Sequence, residues 1–139
     1  MRLDELSPKQ NFAGAGAMAS LEVRGLSADS RSVQPGYLFA ALPGTQVDGQ
    51  AFIGQAIENG ATAILAREPL LAQPLHGDVA FVSSDNPHRD LAHMAARFFE
   101  FQPPHIGCIT GTNGKTTTAF MAHNIMRELQ KPSVYIGTL

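Results

Sequence analysis

The stretch Ile106-Gly107-Cys108-Ile109-Thr110-Gly111-Thr112-Asn113-Gly114-Lys115-Thr116-Thr117-Thr118 decides how this chain reads. A short apolar run ends in a glycine-containing turn, and a helical pattern follows, with Ala122, Ile125, Met126 and Leu129 at helical spacing. Strand, glycine turn and helix in that order are the context of a phosphate-binding loop. Gly111 and Gly114 let the backbone curl so that successive N–H groups face one concavity. The helix N-terminus adds partial positive charge, contributing about 0.3–1 kcal/mol per anionic contact. Lys115 is placed to reach the β- and γ-phosphates of a nucleotide, and the Thr116 hydroxyl to ligate Mg²⁺. One position departs from the general pattern, which puts a glycine at 109. Here that residue is Ile109, and the first glycine is Gly111.

On the carboxy-terminal side, Lys131-Pro132 ends the helix and Val134-Tyr135-Ile136 begins another strand. Residues from His105 onward therefore spell one βαβ unit. On the amino-terminal side, Gln102-Pro103-Pro104 forbids helix continuation and stiffens the joint, which sets a domain boundary. Residues 1–103 read as one small α/β domain and 104–139 as the start of a second. Within the first, Tyr37–Leu42, Ala63–Ala66 and Val79–Val82 are short, continuously apolar runs, as buried strands are. Phe52, Ile53, Ala56 and Ile57 mark a short helix closed by Asn59-Gly60. Asn86-Pro87 is a cap followed by proline at the first helical position. Leu91, Met94, Ala95 and Phe98 then form one buried face. Alternating strands and helices argue for an α/β protein with mostly parallel sheets. The small-residue stretch Ala13–Ala19 contains a G-x-G-x-x-A match, but no strand precedes it, so it reads as loop.

Composition narrows the classes. The chain has 139 residues, 44% hydrophobic and 16% charged, which suits a packed core and not disorder. A net charge of -2 gives no broad electrostatic grip on nucleic acid. No apolar run approaches the roughly 20 residues of a membrane-spanning helix. Met1-Arg2-Leu3-Asp4-Glu5 is unlike a signal peptide. The one cysteine, Cys108, excludes an intramolecular disulfide, and a cytoplasmic protein is the expectation. Cys108 is expected in a buried strand, and Phe98, Phe99 and Phe101 in core and domain-joint packing. The histidines at 76, 88, 93, 105 and 123 show no metal-ligand spacing. Arg31 suits either a diphosphate contact or a brace for its own turn.

The run Gly111–Thr118 resembles the phosphate loop of the Mur ligases of peptidoglycan synthesis. Asp29-Ser30-Arg31-Ser32-Val33-Gln34-Pro35-Gly36 resembles their D-S-R-x-V-x-P-G segment. Leu38-Phe39-Ala40-Ala41-Leu42-Pro43-Gly44 with Val47-Asp48-Gly49 is similar to the block that follows, and Asn59-Gly60-Ala61-Thr62-Ala63 to their N-G-A-x-A. With Ile136-Gly137-Thr138, the pattern is most similar to the branch that adds the third amino acid.

The resemblance implies a substrate, UDP-MurNAc-L-Ala-D-Glu, joined to meso-diaminopimelate or L-lysine with ATP and Mg²⁺ through an acyl phosphate. It places ATP phosphates on Gly111, Thr112, Asn113, Gly114, Lys115, Thr116 and Thr117, with Lys115 and Thr116 catalytic and Thr116 on the metal. It places the UDP moiety on Ala28, Ser30, Thr45, Gln46 and Val47, making residues 1–103 a UDP-substrate domain and 104–139 the start of an ATP-binding domain. Mur ligases are several times longer, so an amino-terminal fragment, inactive alone, is expected. The apolar faces around Ile106, Ile125 and Val134 are then expected to be mobile or to self-associate. Asp85–Arg89 is similar to a D-N-P-R box but has an inserted residue, and reads as a helix cap. Two alternatives remain: the next ligase of the series, or a stand-alone UDP-sugar module with a vestigial loop.

Overall fold

The computed structural model describes residues 1–6, 12–13 (backbone only), 20–44, 47–68 and 79–137. It divides into two units, Met1–Gln102 and Pro103–Leu139. In the first unit the apolar runs become a five-stranded sheet of order β1-β5-β4-β3-β2. These strands are β1 (Phe12–Ala13), β2 (Gly25–Ser27), β3 (Tyr37–Ala40), β4 (Ala61–Ala66) and β5 (Ala80–Ser83). β2 to β5 are mutually parallel, and β1 closes one edge antiparallel to β5.

A parallel sheet must be covered on both faces, and this one is. Leu38, Ala40, Ala63, Leu65, Ala80 and Val82 face one side. There they meet Leu3 and Leu6 of α1 (Leu3–Leu6), Val23, and Met94 of α3 (Pro87–Phe98). Phe39, Ala41, Ile64, Ala66 and Phe81 face the other side. They pack on Ile53 and Ala56 of α2 (Ile53–Glu58) and on Val33. Alternate residues of β3, β4 and β5 thus feed opposite cores, which is why these strands read as unbroken apolar runs.

The expected punctuation is in place. The Asn86 side chain accepts from Arg89 N at 3.1 Å with Pro87 in the first turn, so Asp85–Arg89 is a helix cap here. Gly60 ends α2 with φ +97°. Three elements were not read from sequence: α1, β1 and β2. β4 also starts earlier than expected, at Ala61, because Tyr37 pairs with Ala61 while Leu38 pairs with Ala63. Thr62 is the extra residue of that bulge, and its buried hydroxyl has no partner among the described residues. Phe98 packs against the core, but Phe99 is exposed and Phe101 is 96% exposed, correcting the expectation that all three pack. The stretch 14–19 and His76 lie outside the described residues.

In the second unit, α4 (Lys115–Glu128) follows the glycine turn as expected. The flanking strands do not appear: residues 105–110 and 131–137 carry no ladder. A strand exists only by pairing, and these two segments do not pair with each other. Ile125, Met126 and Leu129 are exposed, as are Ile106, Val134 and Ile136. Cys108 is exposed too, correcting its assignment to a buried strand. The extended segment after α4 is tied back to it. His123 Nδ1 lies 2.9 Å from Ser133 Oγ, and the Tyr135 ring packs on His123 and Phe120.

Candidate functional site

The first candidate cluster lies where β2 and β3 end. These are neighbouring parallel strands, so the segments leaving them share one edge of the sheet. β2 runs into a hydroxyl-capped turn: Ser27 Oγ donates to the Asp29 carbonyl at 2.8 Å and accepts from Asp29 N at 3.0 Å. Asp29 caps the 3-10 turn Ser30–Ser32, accepting from Arg31 N. The Arg31 guanidinium forks onto the same carboxylate, at 2.9 and 2.8 Å. That side-chain contact, then the backbone bond, lowers the Asp29 pKa to about 2, and the carboxylate raises that of Arg31. Arg31 thus braces its own turn, one of its two sequence readings, through an exposed ion pair that uses two of its five N–H donors.

Ser30 is 6% exposed. Its hydroxyl donates to Gln55 Oε1 of α2 at 2.6 Å, and its carbonyl accepts from Asn59 Nδ2 at 2.9 Å. Ala28 is exposed in the bend before it. After β3 the chain turns back on itself. Gly49 N donates to the Leu42 carbonyl at 2.9 Å, and the Asp48 side chain caps the 3-10 turn Gly49–Phe52. A Cβ at Gly49 would stand 2.6 Å from the Leu42 carbonyl oxygen and 2.7 Å from its nitrogen, so this approach is open only to glycine. Val47, 55% exposed, sits in the loop that this contact closes. Thr45 and Gln46 lie outside the described residues. The structure thus brings Ala28, Ser30 and Val47 to one sheet edge. Sequence reading missed Gln55 and took Asn59 only as part of a helix stop; the signal that links them is their i, i+4 spacing at the end of a short helix.

The second candidate site is the glycine turn before α4. Gly114 is left-handed, φ +77°, and directly precedes the helix. Gly111 has φ +149°. Lys115 curls over the turn, donating to the carbonyls of Gly111 at 2.5 Å and Thr112 at 3.3 Å. Thr118 Oγ1 donates to the Gly114 carbonyl at 2.9 Å, stitching the first turn of α4. Thr112, Asn113, Thr116 and Thr117 are exposed around it. The described residues hold no cluster of three His, Cys, Asp or Glu side chains, so the turn offers a divalent cation hydroxyl and amide oxygens, Thr116 among them, and no carboxylate set. No helix among the described residues is long and apolar enough to cross a membrane.

Known proteins give both clusters a context. A family model described as the Mur ligase family, catalytic domain, matches residues 22–100. A Bradyrhizobium diazoefficiens protein, named UDP-N-acetylmuramoyl-L-alanyl-D-glutamate–2,6-diaminopimelate ligase, is 45% identical over 88% of this chain. A solved structure of a ligase with that same name superposes with TM-score 0.65 at 24% identity, over 94% of this chain and 26% of its own; this likeness bears on fold alone. The Thermotoga maritima MurF ligase, solved in complex with ADP, gives TM-score 0.55 at 28% identity, over 76% of this chain and 24% of its own. The chain spans about a quarter of the curated relatives it matches, 24% of the Bradyrhizobium protein's length.

Proposed function

This chain belongs to the Mur ligase family, and we propose that it is the substrate-binding and nucleotide-entry part of an enzyme adding the third amino acid to UDP-MurNAc-L-Ala-D-Glu. The observation that carries this reading is the family match over residues 22–100 followed directly by a lysine-bearing glycine turn at the head of α4. Relatives at 36–45% identity carry the diaminopimelate-ligase name, so diaminopimelate is the amino acid we assign. MurF structures share the fold at 20–28% identity and do not favour the next ligase of the series.

In this reading residues 1–103 hold the UDP moiety at the shared sheet edge, with Ala28, Ser30, Thr45, Gln46 and Val47 around it. Residues 104–139 open the ATP-binding domain, and Gly111 to Thr117 wrap the phosphates. Backbone N–H groups and the α4 N-terminus favour the anion, and Lys115 swings from the Gly111 and Thr112 carbonyls to the β- and γ-phosphates. Mg²⁺, carried in by the nucleotide and ligated by Thr116, would neutralise phosphate charge. The D-Glu side-chain carboxylate then attacks the γ-phosphate, ADP departs, and the incoming amine displaces phosphate from the acyl phosphate. Positioning and charge neutralisation supply most of such catalysis. Ligation needs the remaining three-quarters of the family's length, so this chain alone binds without turnover. A cytoplasmic location suits a reaction that consumes ATP.

Calorimetric titration tests the reading. The chain is expected to bind UDP-MurNAc-L-Ala-D-Glu saturably, and Ser30→Ala to weaken it. Lys115→Ala is expected to weaken ATP–Mg²⁺ binding while leaving the UDP ligand unaffected. A folded chain that binds no UDP ligand would refute the substrate-domain assignment.

A further inference from the structure

We infer that His88 is a positioning residue for UDP binding: its imidazole pins the Pro43 carbonyl and so fixes the loop that carries Val47 at the carboxyl end of the sheet. This rests on the substrate-domain reading above. His88 stands in the first turn of α3, just past the Asn86 cap, and its Nε2 lies 3.1 Å from the Pro43 carbonyl oxygen, 45 residues away in sequence. A carbonyl oxygen only accepts, so Nε2 carries the proton and donates.

This bond is one of three that lace the strand ends together. Gln50 Nε2 donates to the Arg67 carbonyl at 2.9 Å, and Arg67 Nη2 to the Asp85 carbonyl at 3.0 Å. Pro43 and Gln50 flank the loop after β3, Arg67 follows β4, and Asp85 lies just past β5. The loop is thus held on its outgoing side by α3 and on its returning side by the end of β4. Between these ties it closes on itself: Gly49 N donates to the Leu42 carbonyl, and a Cβ at Gly44 would collide with the Val47 carbonyl oxygen. Open α/β sheets take their ligands outside the carboxyl ends of the strands, the edge that these ties cross. The fold itself does not depend on His88, because buried Met94 anchors α3 and Asn86 caps it, while His88 is exposed. What the His88 bond holds is the loop, and a loop ordered beforehand lowers the entropic cost of binding.

Titration with UDP tests this. His88→Ala is expected to bind UDP about tenfold more weakly, the scale of one hydrogen bond, with its urea midpoint unchanged. His88→Gln, whose side-chain amide reaches the Nε2 position, is expected to restore wild-type affinity, and His88→Asn, whose amide stops at the Nδ1 position, is not. In hydrogen exchange the Gly49 amide is expected to exchange faster in His88→Ala, with the β4 amides unchanged. Nitrogen NMR is expected to show the neutral His88 ring as its Nε2–H tautomer. Unchanged UDP affinity in His88→Ala, a loss matched by a fall in the urea midpoint, failure of His88→Gln to rescue, an unchanged Gly49 exchange rate or the Nδ1–H tautomer overturns this inference alone. Absence of UDP binding by the folded wild-type chain overturns both it and the substrate-domain reading.

Discussion

Gly49→Ala tests whether the loop after β3 is built on a backbone contact. The added Cβ would meet the Leu42 oxygen at 2.6 Å, the Leu42 nitrogen at 2.7 Å and the Ala41 carbonyl carbon at 2.9 Å. All three are main-chain atoms at the end of a buried strand, so no side chain can rotate away. Relief requires the two segments to part by about half an ångström, and such overpacking costs about 1–3 kcal/mol. The Gly49 N–H bond to Leu42, now 2.9 Å, stretches with it, forfeiting about 0.5–1.5 kcal/mol. Against this, alanine restricts the unfolded chain and returns about 0.4–1 kcal/mol. The net expectation is a loss of about 2 kcal/mol, or roughly 8–16 °C in Tm for a unit of this size. Urea unfolding followed by far-UV circular dichroism measures it. Gly107→Ala, where nothing lies within 4 Å, is the neutral control. A Gly49→Ala chain unfolding at the wild-type midpoint would refute the close approach.

Asp29 is expected to titrate near 2, as followed by its carboxyl carbon resonance. Its folded pKa lies below the ordinary value of 3.8, so its contribution is fully present above that value and disappears as pH falls through about 2. Asp29→Asn should flatten stability against pH in that window, and a wild-type midpoint at 3.8 or higher would contradict the fork. Met94→Ala, at a side chain 1% exposed between α3 and the sheet, should cost about 2–5 kcal/mol in urea unfolding. Thr62→Val should raise the unfolding free energy by about 1 kcal/mol, read from urea unfolding, because the hydroxyl it removes is buried without a partner among the described residues.

The sequence was most legible where one physical cause acts alone. β3, β4, β5, α2 and α3 follow from unbroken apolar runs, a helical face and explicit stops such as Asn86-Pro87 and Asn59-Gly60. α1 and β1 were illegible because four-residue and two-residue elements carry too little periodicity to show. β2 was hidden because Gly25 and Ser27 are poor strand formers, and the segment is a strand only through its parallel pairing with β3. In the second unit the error ran the other way. Residues 105–109 and 134–136 have the composition of strands, but composition cannot supply a pairing partner. At the candidate site, Lys115 and Ser30 were readable as residue types, whereas Gln55 was not, since nothing local says that α2 folds back onto the Ser30 turn.

The stretches by which the chain resembles Mur ligases fall where a main chain must turn sharply or approach another. Asp29 and Arg31 brace one turn, Gly49 admits the Leu42 backbone, and Gly60 ends α2 close to Pro35. Ser30 ties that first turn to α2 at two points: its hydroxyl donates to Gln55 Oε1, 25 residues away, and its carbonyl accepts from Asn59 Nδ2. Ser30→Ala removes one of these ties and leaves the Gln55 carbonyl oxygen without its donor, so a loss of about 1–3 kcal/mol is expected in urea unfolding. An unchanged unfolding midpoint would refute the tie.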